Sequence, residues 1–476
     1  MDFEPVIGLE VHAQLATHSK IFCRCSTEFG KEPNHNTCPV CLGLPGALPV
    51  INRRAVEFAV MLGLATNCEI RLDSQFARKN YFYPDLPKSY QISQFDRPLC
   101  EHGWVDIEVK GETKRIGITR IHMEEDAGKL IHEGEDPNAS YVDLNRAGIP
   151  LVEIVSEPDI RTSEEAKAYM EKIHSIVTYL EICNGDMEKG NLRCDANVSI
   201  RPNDKAPFGT RTETKNLNSF RHVQACIDYE IGRQIDVTLD GGKIIQQTRL
   251  WDANKKQSKA MRDKEDSHDY RYFPCPDLPV VDIDQNLIIS LREKLPELPD
   301  DKKARFQEDY SLGHYDASVL VVSKEMANYF EETVKNGATA KTASNWITGD
   351  LSRFLNETKT SITESKVTPE RLTGLIKLIE DGTISGKIAK SVFETMFETG
   401  KEALEIVENQ GLKQVSDETQ LREICDEIVR ASPSQVQEYK AGKQKVFGFF
   451  VGQAMKQTKG QANPQVINQI LKELLS

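Results

Sequence analysis

The sequence changes in character at Pro296 and Pro299, and this change limits the possible folds more than any other feature. Up to about residue 290, short stretches of alternating apolar and polar residues are separated by Gly, Pro and Asn, as is typical of strands. Beyond the two prolines, apolar residues recur mostly at helical spacing. Strands and helices that are segregated along the chain indicate an α+β fold.

The length of 476 residues requires more than one domain, because a single hydrophobic core stops growing at about 250–300 residues. We predict a β-rich domain over residues 1–293, a helical domain over 294–408 and a small helical tail domain over 409–476. Within the β-rich part, a capping box over 162–165 precedes apolar residues at helical spacing and predicts one helix.

Composition excludes several classes of protein. The net charge of −13 argues against a general nucleic-acid coating protein, since phosphate neutralisation needs Lys and Arg. No apolar run approaches the roughly 18 residues of a membrane span, and the N-terminus lacks a secretory signal. Eleven cysteines without such a signal indicate thiols or metal ligands in a reducing compartment. We therefore expect a cytoplasmic protein that does not associate with membranes.

The first predicted strand has strict alternation. Apolar residues occupy the odd positions from Ile7 to Leu15, whereas Gly8, Glu10 and His12 lie on the other face. Adjacent Glu10 and His12 suit a metal or phosphate site in a cleft. An ordinary half-exposed strand would show the same pattern.

Two further strands carry charges on one face. Residues 192–201 alternate in the same way, with Arg193 and Asp195 on the polar side. Residues 211–215 place Arg211, Glu213 and Lys215 together. The pattern predicts a polar, concave sheet, although a sheet that faces solvent would look similar.

Additional carboxylates occur at Glu124, Glu125, Asp126 and Glu153, and clustered carboxylates are what Mg²⁺ requires. A surface acidic run also explains the first three. Glu153 lies in the apolar stretch 150–155, where an unpaired carboxylate is costly.

Residues 78–88 mix basic, aromatic and proline residues. This segment either forms a rigid loop that holds phosphates or a nucleotide base, or packs its aromatic rings into the core.

Two cysteine pairs, Cys23/Cys25 and Cys38/Cys41, have the composition of a closed tetrahedral site and predict structural Zn²⁺. The alternative is four free thiols.

Positive charge is concentrated near the C-terminus, where residues 440–472 contain no acid and six lysines: Lys440, Lys443, Lys445, Lys456, Lys459 and Lys472. The cluster predicts either contact with an RNA backbone or a solvated helix face.

No Walker A loop and no G-x-S-x-G elbow is present in the sequence. Any use of ATP must therefore rely on another kind of site, and any glutamine hydrolysis must come from another chain.

Several motifs together resemble the B subunit of the aspartyl/glutamyl-tRNA amidotransferases, and the resemblance covers the whole chain. The motifs are VIGLEVH (6–12), RKNYFYPDLPKSYQISQ (78–94), HMEEDAGK (122–129), VDLNRAGIPLVEIVSEP (142–158), KNLNSF (215–220), DYRYFP (269–274) and KGQANP (459–464). Cys275 departs from the family, in which glutamate is often found at this position.

The resemblance implies a cradle-shaped catalytic domain followed by a helical domain and a small helical tail. It implies a complex with an amidase, the A subunit, which releases ammonia from glutamine, and with a small C subunit. The B subunit would use ATP and Mg²⁺ to phosphorylate the side-chain carboxylate of Glu-tRNA(Gln) or Asp-tRNA(Asn), and ammonia would then displace the phosphate. The alternative is a non-catalytic tRNA-binding scaffold of the same complex.

The resemblance also assigns residues. His12, Glu125 and Glu153 are the expected metal ligands, although an imidazole suits Mn²⁺ better than Mg²⁺. Glu10, Asp195 and Glu213 would complete the acidic pocket. Lys79 and Lys88 would neutralise phosphates, and the C-terminal lysines would grip the tRNA.

Overall fold

The computed structural model describes residues 3–132, 139–263, 269–412, 418–458, 462 and 464–475. The chain divides into two compact units, Met1–Pro299 and Asp300–Ser476. Each unit is described by itself.

The described residues of the first unit form sixteen strands and four helices. The strands are β1 (Glu4–Gln14), β2 (Glu69–Ile70), β3 (Asp73–Ser74), β4 (Ala77–Asn80), β5 (Tyr90–Ser93), β6 (Cys100–Val109), β7 (Glu112–Glu125), β8 (Lys129–Ile131), β9 (Tyr141–Asp143), β10 (Pro150–Ser156), β11 (Leu192–Arg201), β12 (Thr212–Leu217), β13 (Gln247–Asp252), β14 (Gln257–Asp263), β15 (Phe273–Pro274) and β16 (Val281–Asp282). The helices are α1 (Arg53–Ala65), α2 (Ser163–Tyr179), α3 (Phe220–Leu239) and α4 (Gln285–Glu293).

Nine strands form one sheet in the order β14-β13-β12-β11-β1-β10-β7-β6-β2. All neighbouring strands are antiparallel except β12 and β13, which are parallel. The first strand of the sequence thus lies in the middle of the sheet, between β10 and β11. Strands β15, β4 and β5 form a separate small sheet.

One face of the large sheet is apolar and covered by helices. The odd residues of β1 from Ile7 to Ala13 are buried, while the even residues are only partly buried, so the predicted alternation is confirmed. Helices α2 and α3 pack against each other and against β6 and β11. Thr162 caps α2 by accepting a hydrogen bond from the backbone N–H of Glu165, as its sequence predicts.

The described residues of the second unit are helical. The helices are α5 (Pro299–Asp309), α6 (His314–Leu320), α7 (Lys324–Lys335), α8 (Ala340–Trp346), α9 (Ser352–Thr358), α10 (Pro369–Glu380), α11 (Gly386–Thr399), α12 (Ala403–Asn409), α13 (Glu418–Ala431), α14 (Pro433–Lys440), α15 (Phe447–Gln457) and α16 (Pro464–Leu475). A π-helical turn, Ile347–Leu351, joins α8 to α9.

Two separate apolar clusters hold this unit together. One contains buried residues between Phe306 and Val407, and the other contains buried residues between Leu421 and Leu475. The α+β class predicted from the sequence is confirmed, whereas the domain boundaries remain predictions. Within the described residues, no helix is both long and apolar enough to cross a bilayer.

Candidate active site and metal centres

A row of polar side chains crosses the middle of the sheet on the face opposite the helices. Backbone pairing sets His122 opposite Glu153, Glu153 opposite His12, and His12 opposite Arg193. Residues that are directly opposite on neighbouring strands have their side chains on the same face. The sheet therefore brings together four charged or ionisable residues that are far apart in sequence.

The first ligand set consists of His12, Glu124 and Glu153, whose donor atoms all lie within 4.8 Å of one another. His12 Nε2 is 3.4 Å from Glu153 Oε2 and 3.8 Å from Glu124 Oε1. Burial lowers the pKa of His12, but the carboxylates of Glu153 and Glu124 outweigh it and raise the pKa to about 9. Burial raises the pKa of Glu153, but His122 and His12 outweigh it and hold the pKa well below the usual range. Two carboxylates and an imidazole that converge in this way fit a divalent cation.

Glu125 does not occupy the ligand position predicted for it. Its carboxylate accepts hydrogen bonds from the backbone N–H of Ile92, at 2.8 Å, and from the Lys88 ammonium. Along β7 the apolar residues Ile121 and Met123 are buried on the same side as Glu125, while Glu124 points to the other face. The alternation of the strand therefore makes Glu124 the third member of the set.

The second set consists of Glu10, Asp195 and Glu213, which also lie within 4.8 Å of one another. Lys215 Nζ is 2.5 Å from Asp195 Oδ2 and 2.8 Å from Glu213 Oε1, and Asn197 donates to Glu10 Oε1 at 3.0 Å. Burial, followed by the nearby carboxylates of Glu153, Glu213 and Asp195, raises the pKa of Glu10. The three predicted acidic residues thus do converge. Arg211, in contrast, is exposed and precedes β12.

A cavity of about 560 Å³ opens beside both sets. Its lining includes His12, Lys79, Glu124, Arg193 and Asp195. Anionic and cationic groups thus face the same space, as a site for a metal and phosphates requires.

Lys79 projects into this cavity. Its Nζ lies 4.9 Å from the centre of the Tyr270 ring. Phe82, which belongs to the same aromatic segment 78–88, is exposed. Burial lowers the pKa of Lys79, but Glu124, Tyr272 and Glu153 together raise it, so the side chain stays charged. Lys88, predicted for the same role, instead lines a different pocket and pairs with Glu125.

The four predicted cysteines converge at a separate place, with their Sγ atoms within 4.8 Å of one another. Cys41 Sγ lies 3.5 Å from Cys23 Sγ and 3.7 Å from both Cys25 Sγ and Cys38 Sγ. The hydrogen bond from Cys23 and the nearby charge of Lys20 lower the pKa of the Cys41 thiol to about 4. Four sulfur donors at this spacing could hold a metal such as zinc.

The segment between the two cysteine pairs docks on the loop before β10. The Asn34 backbone N–H donates to Asp143 Oδ1 at 3.0 Å, and the Asn36 backbone N–H donates to Asn145 Oδ1 at 2.7 Å. The buried Lys20 ammonium donates to Leu144 O at 3.2 Å. The cysteine cluster thereby supports the loop that leads to Glu153.

Comparison with known proteins decides the family. Residues 5–289 match the family model of the GatB/GatE catalytic domain, and residues 328–475 match that of the GatB domain. Similar curated proteins are B subunits of aspartyl/glutamyl-tRNA(Asn/Gln) amidotransferases. The protein of Trichlorobacter lovleyi is 60% identical over 476 residues, which is 100% of both chains. That of Geobacter sulfurreducens is 57% identical over 477 residues and 100% of both chains, and that of Brevibacillus brevis is 56% identical over 474 residues, 100% of this chain and 99% of the other.

The chain belongs to the family of amidotransferase B subunits. The catalytic-domain match spans both carboxylate sets and the cavity.

The C-terminal lysines of this family member are partly described. Lys440, Lys443, Lys445 and Lys456 are exposed, with Lys443 3.4 Å from Glu438. Lys459, together with most of the predicted turn at 459–464, lies outside the described residues. The exposed lysines are available to a polyanion, and their role stays a prediction.

Several residues of the cavity or the row were not assigned from the sequence, among them His122, Arg193 and Lys215. The period-two pattern placed Arg193 and Lys215 on polar faces, but only the register shows that they adjoin His12 and Asp195. His122 could have been found by extending the alternation from Ile121 and Met123.

Proposed function

We propose that this chain is the subunit of an amidotransferase complex that converts Glu-tRNA(Gln), Asp-tRNA(Asn) or both into the corresponding amides. The observation that carries the proposal is the convergence of His12, Glu124 and Glu153, two of which, His12 and Glu124, line one cavity with Lys79. This cavity belongs to the region that matches the catalytic domain of the family.

The chemistry starts from a carboxylate, which is a poor acyl donor because its oxide leaves badly. Attack by a carboxylate oxygen on the γ-phosphorus of ATP forms an acyl phosphate and releases ADP. Ammonia then attacks the acyl carbon, the amide C–N bond forms, and phosphate leaves. Phosphoryl transfer of this kind needs positioning and charge neutralisation more than a covalent protein group.

We assign His12, Glu124 and Glu153 to one divalent ion, with Glu10, Asp195 and Glu213 completing the acidic pocket. Mg²⁺ is the expected ion in ATP chemistry, and Mn²⁺ would suit the imidazole. The ion would neutralise charge on the phosphates. Lys79, which keeps its proton, would contact a phosphate from the other side of the cavity.

The cysteine cluster is proposed to hold Zn²⁺ with a structural role. Four thiolates form a closed coordination shell without an open position for a substrate. The metal would fix the segment that carries Asn34 and Asn36, and through it the loop before β10.

The partners follow from the chemistry. The family of B subunits, by its name, implies a complex of several different chains. We propose that an amidase, the A subunit, supplies ammonia, since the sequence lacks an amidase-type nucleophile, and that a small C subunit completes the complex. Lys440, Lys443, Lys445, Lys456 and Lys459 would contact the tRNA backbone. We place the reaction in the cytoplasm, where mischarged tRNA is made and used.

The test is ATP hydrolysis by the reconstituted complex with mischarged tRNA. We expect hydrolysis that depends on the mischarged tRNA and is lost in Glu153→Gln. An inactive scaffold would hydrolyse no ATP under these conditions, or would do so equally well with uncharged tRNA. The retained buried carboxylates argue against a scaffold, because such groups are costly to keep together without a ligand.

A further inference from the structure

Arg193 lies directly opposite His12 on the neighbouring strand, and both residues line the cavity. Its Nη2 donates to Asp126 Oδ1 at 3.1 Å, and 36% of the side chain remains exposed. No other hydrogen bond joins this guanidinium to the described part of the chain, and its Nε is buried without a partner. Since a guanidinium has five N–H donors, the edge that faces the cavity can still bind a ligand.

The Asp126 carboxylate binds Arg193 and also lies near a second arginine, Arg146. The Asp126 side chain is buried, accepts a hydrogen bond from Gln14 Nε2 at 2.7 Å, and lies 3.6 Å from Arg146 Nε. One carboxylate is therefore shared by two guanidinium groups, while Glu124 and Asp195 are the other carboxylates close to Arg193. Arg146 donates its hydrogen bonds to the backbone carbonyls of Ala127 and Gly128 and does not line the cavity.

The position of the Arg193 guanidinium selects the kind of ligand. On one side of His12 stands Glu153, a member of the proposed metal set, and on the other stands Arg193. An anion between them would have one oxygen toward the metal set and one toward the guanidinium. A carboxylate has two accepting oxygens and can therefore meet both groups at once, one with each oxygen.

We infer that Arg193 forms the subsite for the side-chain carboxylate of the amino acid that is attached to the tRNA. The inference rests on the function proposed above and adds a residue that separates substrate from product. The product amide has an NH₂ group in place of one carboxylate oxygen, and this group cannot accept a hydrogen bond from Arg193. The amide keeps only one accepting oxygen, which cannot serve the guanidinium and the metal set together, and this disfavours the bound product.

The test compares Arg193→Gln and Arg193→Lys with the wild-type chain in the complete complex. Dissociation constants are measured without ATP for tRNA(Gln) charged with glutamate and for the same tRNA charged with glutamine. The wild-type complex should bind the glutamyl form more tightly. In Arg193→Gln this preference should fall by about ten- to a hundredfold, the range expected for a hydrogen bond to a charged group. Arg193→Lys keeps the positive charge but not the planar set of donors, so it should lose part of this preference.

Arg146→Gln is the matched control, because Arg146 shares Asp126 and is similarly exposed, at 38%. It should leave the preference between the two charged tRNAs unchanged. Equal effects of both variants would mean that the arginines act only through Asp126, and would overturn the inference. So would a wild-type complex without any preference.

The KM for ATP distinguishes a carboxylate from a phosphate ligand. We expect it to stay constant in Arg193→Lys and Arg193→Gln. A raised KM for ATP with an unchanged preference between the two tRNAs would assign Arg193 to a phosphate and reject the carboxylate subsite. Failure of the proposed function itself would look different, since the wild-type complex would then hydrolyse no ATP with mischarged tRNA. If Arg193→Gln fails to fold, Arg193→Lys still provides the comparison.

Discussion

Glu124 and Glu125 are adjacent in sequence, yet their carboxylates lie on opposite faces of β7. The Glu124 carboxylate is 3.8 Å from His12 Nε2, whereas that of Glu125 accepts the backbone N–H of Ile92 and the Lys88 ammonium. The two residues therefore have different roles, one toward the cavity and one toward the small sheet that contains β5.

Glu124→Gln is expected to weaken metal binding strongly, and Glu125→Gln is not. Outer-shell partners of a metal are worth about 10–100-fold in affinity, so loss of a direct ligand should weaken Mn²⁺ binding by about a hundredfold. Glu125→Gln should instead lower the free energy of unfolding by about 1–3 kcal/mol, because it removes a charged acceptor. Titration with Mn²⁺ and chemical denaturation measure the two effects. Loss of Mn²⁺ binding in Glu125→Gln alone would refute the assignment.

Cys38→Ser should remove zinc and loosen the loop at 142–148. Metal analysis of the wild-type protein is expected to give about one equivalent, as in other four-cysteine sites. Because Asn34 and Asn36 dock on this loop, its amide hydrogens should exchange faster in the variant. Cys425→Ala, which changes a buried cysteine in the other unit, is the control and should retain zinc. Faster exchange in both variants, or in neither, would show that the order of the loop does not depend on the metal.

Glu230→Gln should destabilise the protein near neutral pH and much less in acid. Glu230 is fully buried, and it lies 2.7 Å from Arg233 Nη2 and 3.0 Å from Arg249 Nε. Burial raises its pKa, but hydrogen bonds from Arg233 and Ser258 and the charge of Arg249 outweigh it and lower the pKa.

The sign of the pH dependence follows from this lowered pKa. The ionised Glu230 contributes stability above its unfolded pKa of about 4.3, and this contribution is lost as the pH falls through the folded value. Removing one partner of a buried ion pair costs about 3–5 kcal/mol. Because the amide of Gln can still accept hydrogen bonds, we expect a loss at the lower end, about 3 kcal/mol at pH 7. Urea denaturation at pH 7 and at a series of pH values below 4 measures it. A difference between wild type and variant that grows in acid would contradict the prediction.

Lys440→Ala combined with Lys445→Ala should weaken tRNA binding and reduce its salt dependence. Each phosphate contact that is lost should lower the slope of log K against log salt by about 0.7–0.9. The control is Lys335→Ala with Lys387→Ala, two exposed lysines elsewhere in the same unit. Equal slopes for both double variants would leave the C-terminal lysines without a special role.

Alternation along the strands was the most informative signal in the sequence. It correctly placed Glu10 and His12 on the polar face of β1, and Asp195 on that of β11. The fold class followed from the segregation of strands and helices. Glu125 was assigned from the resemblance to the family, whereas the phase of β7, set by the buried Ile121 and Met123, places Glu124 beside His12 and Glu153.

Other parts of the site could not be predicted because they depend on register. The sequence does not state that His12 pairs with Arg193, or that the loop with Lys88 turns toward Glu125 rather than toward Lys79. Such pairings depend on which strands are neighbours, and they are fixed by the packing of the whole sheet. Local pattern identified the faces, and long-range pairing identified the site.

The central position of β1 has a consequence for synthesis on the ribosome. This strand emerges before its two neighbours, β10 and β11, which begin at residues 150 and 192. At roughly 5–20 residues per second, the nascent chain carries an unpaired apolar strand for about ten seconds or longer. A fragment that stops before residue 201 cannot complete the pairing of β1, so truncated chains should be targets for chaperones and proteases.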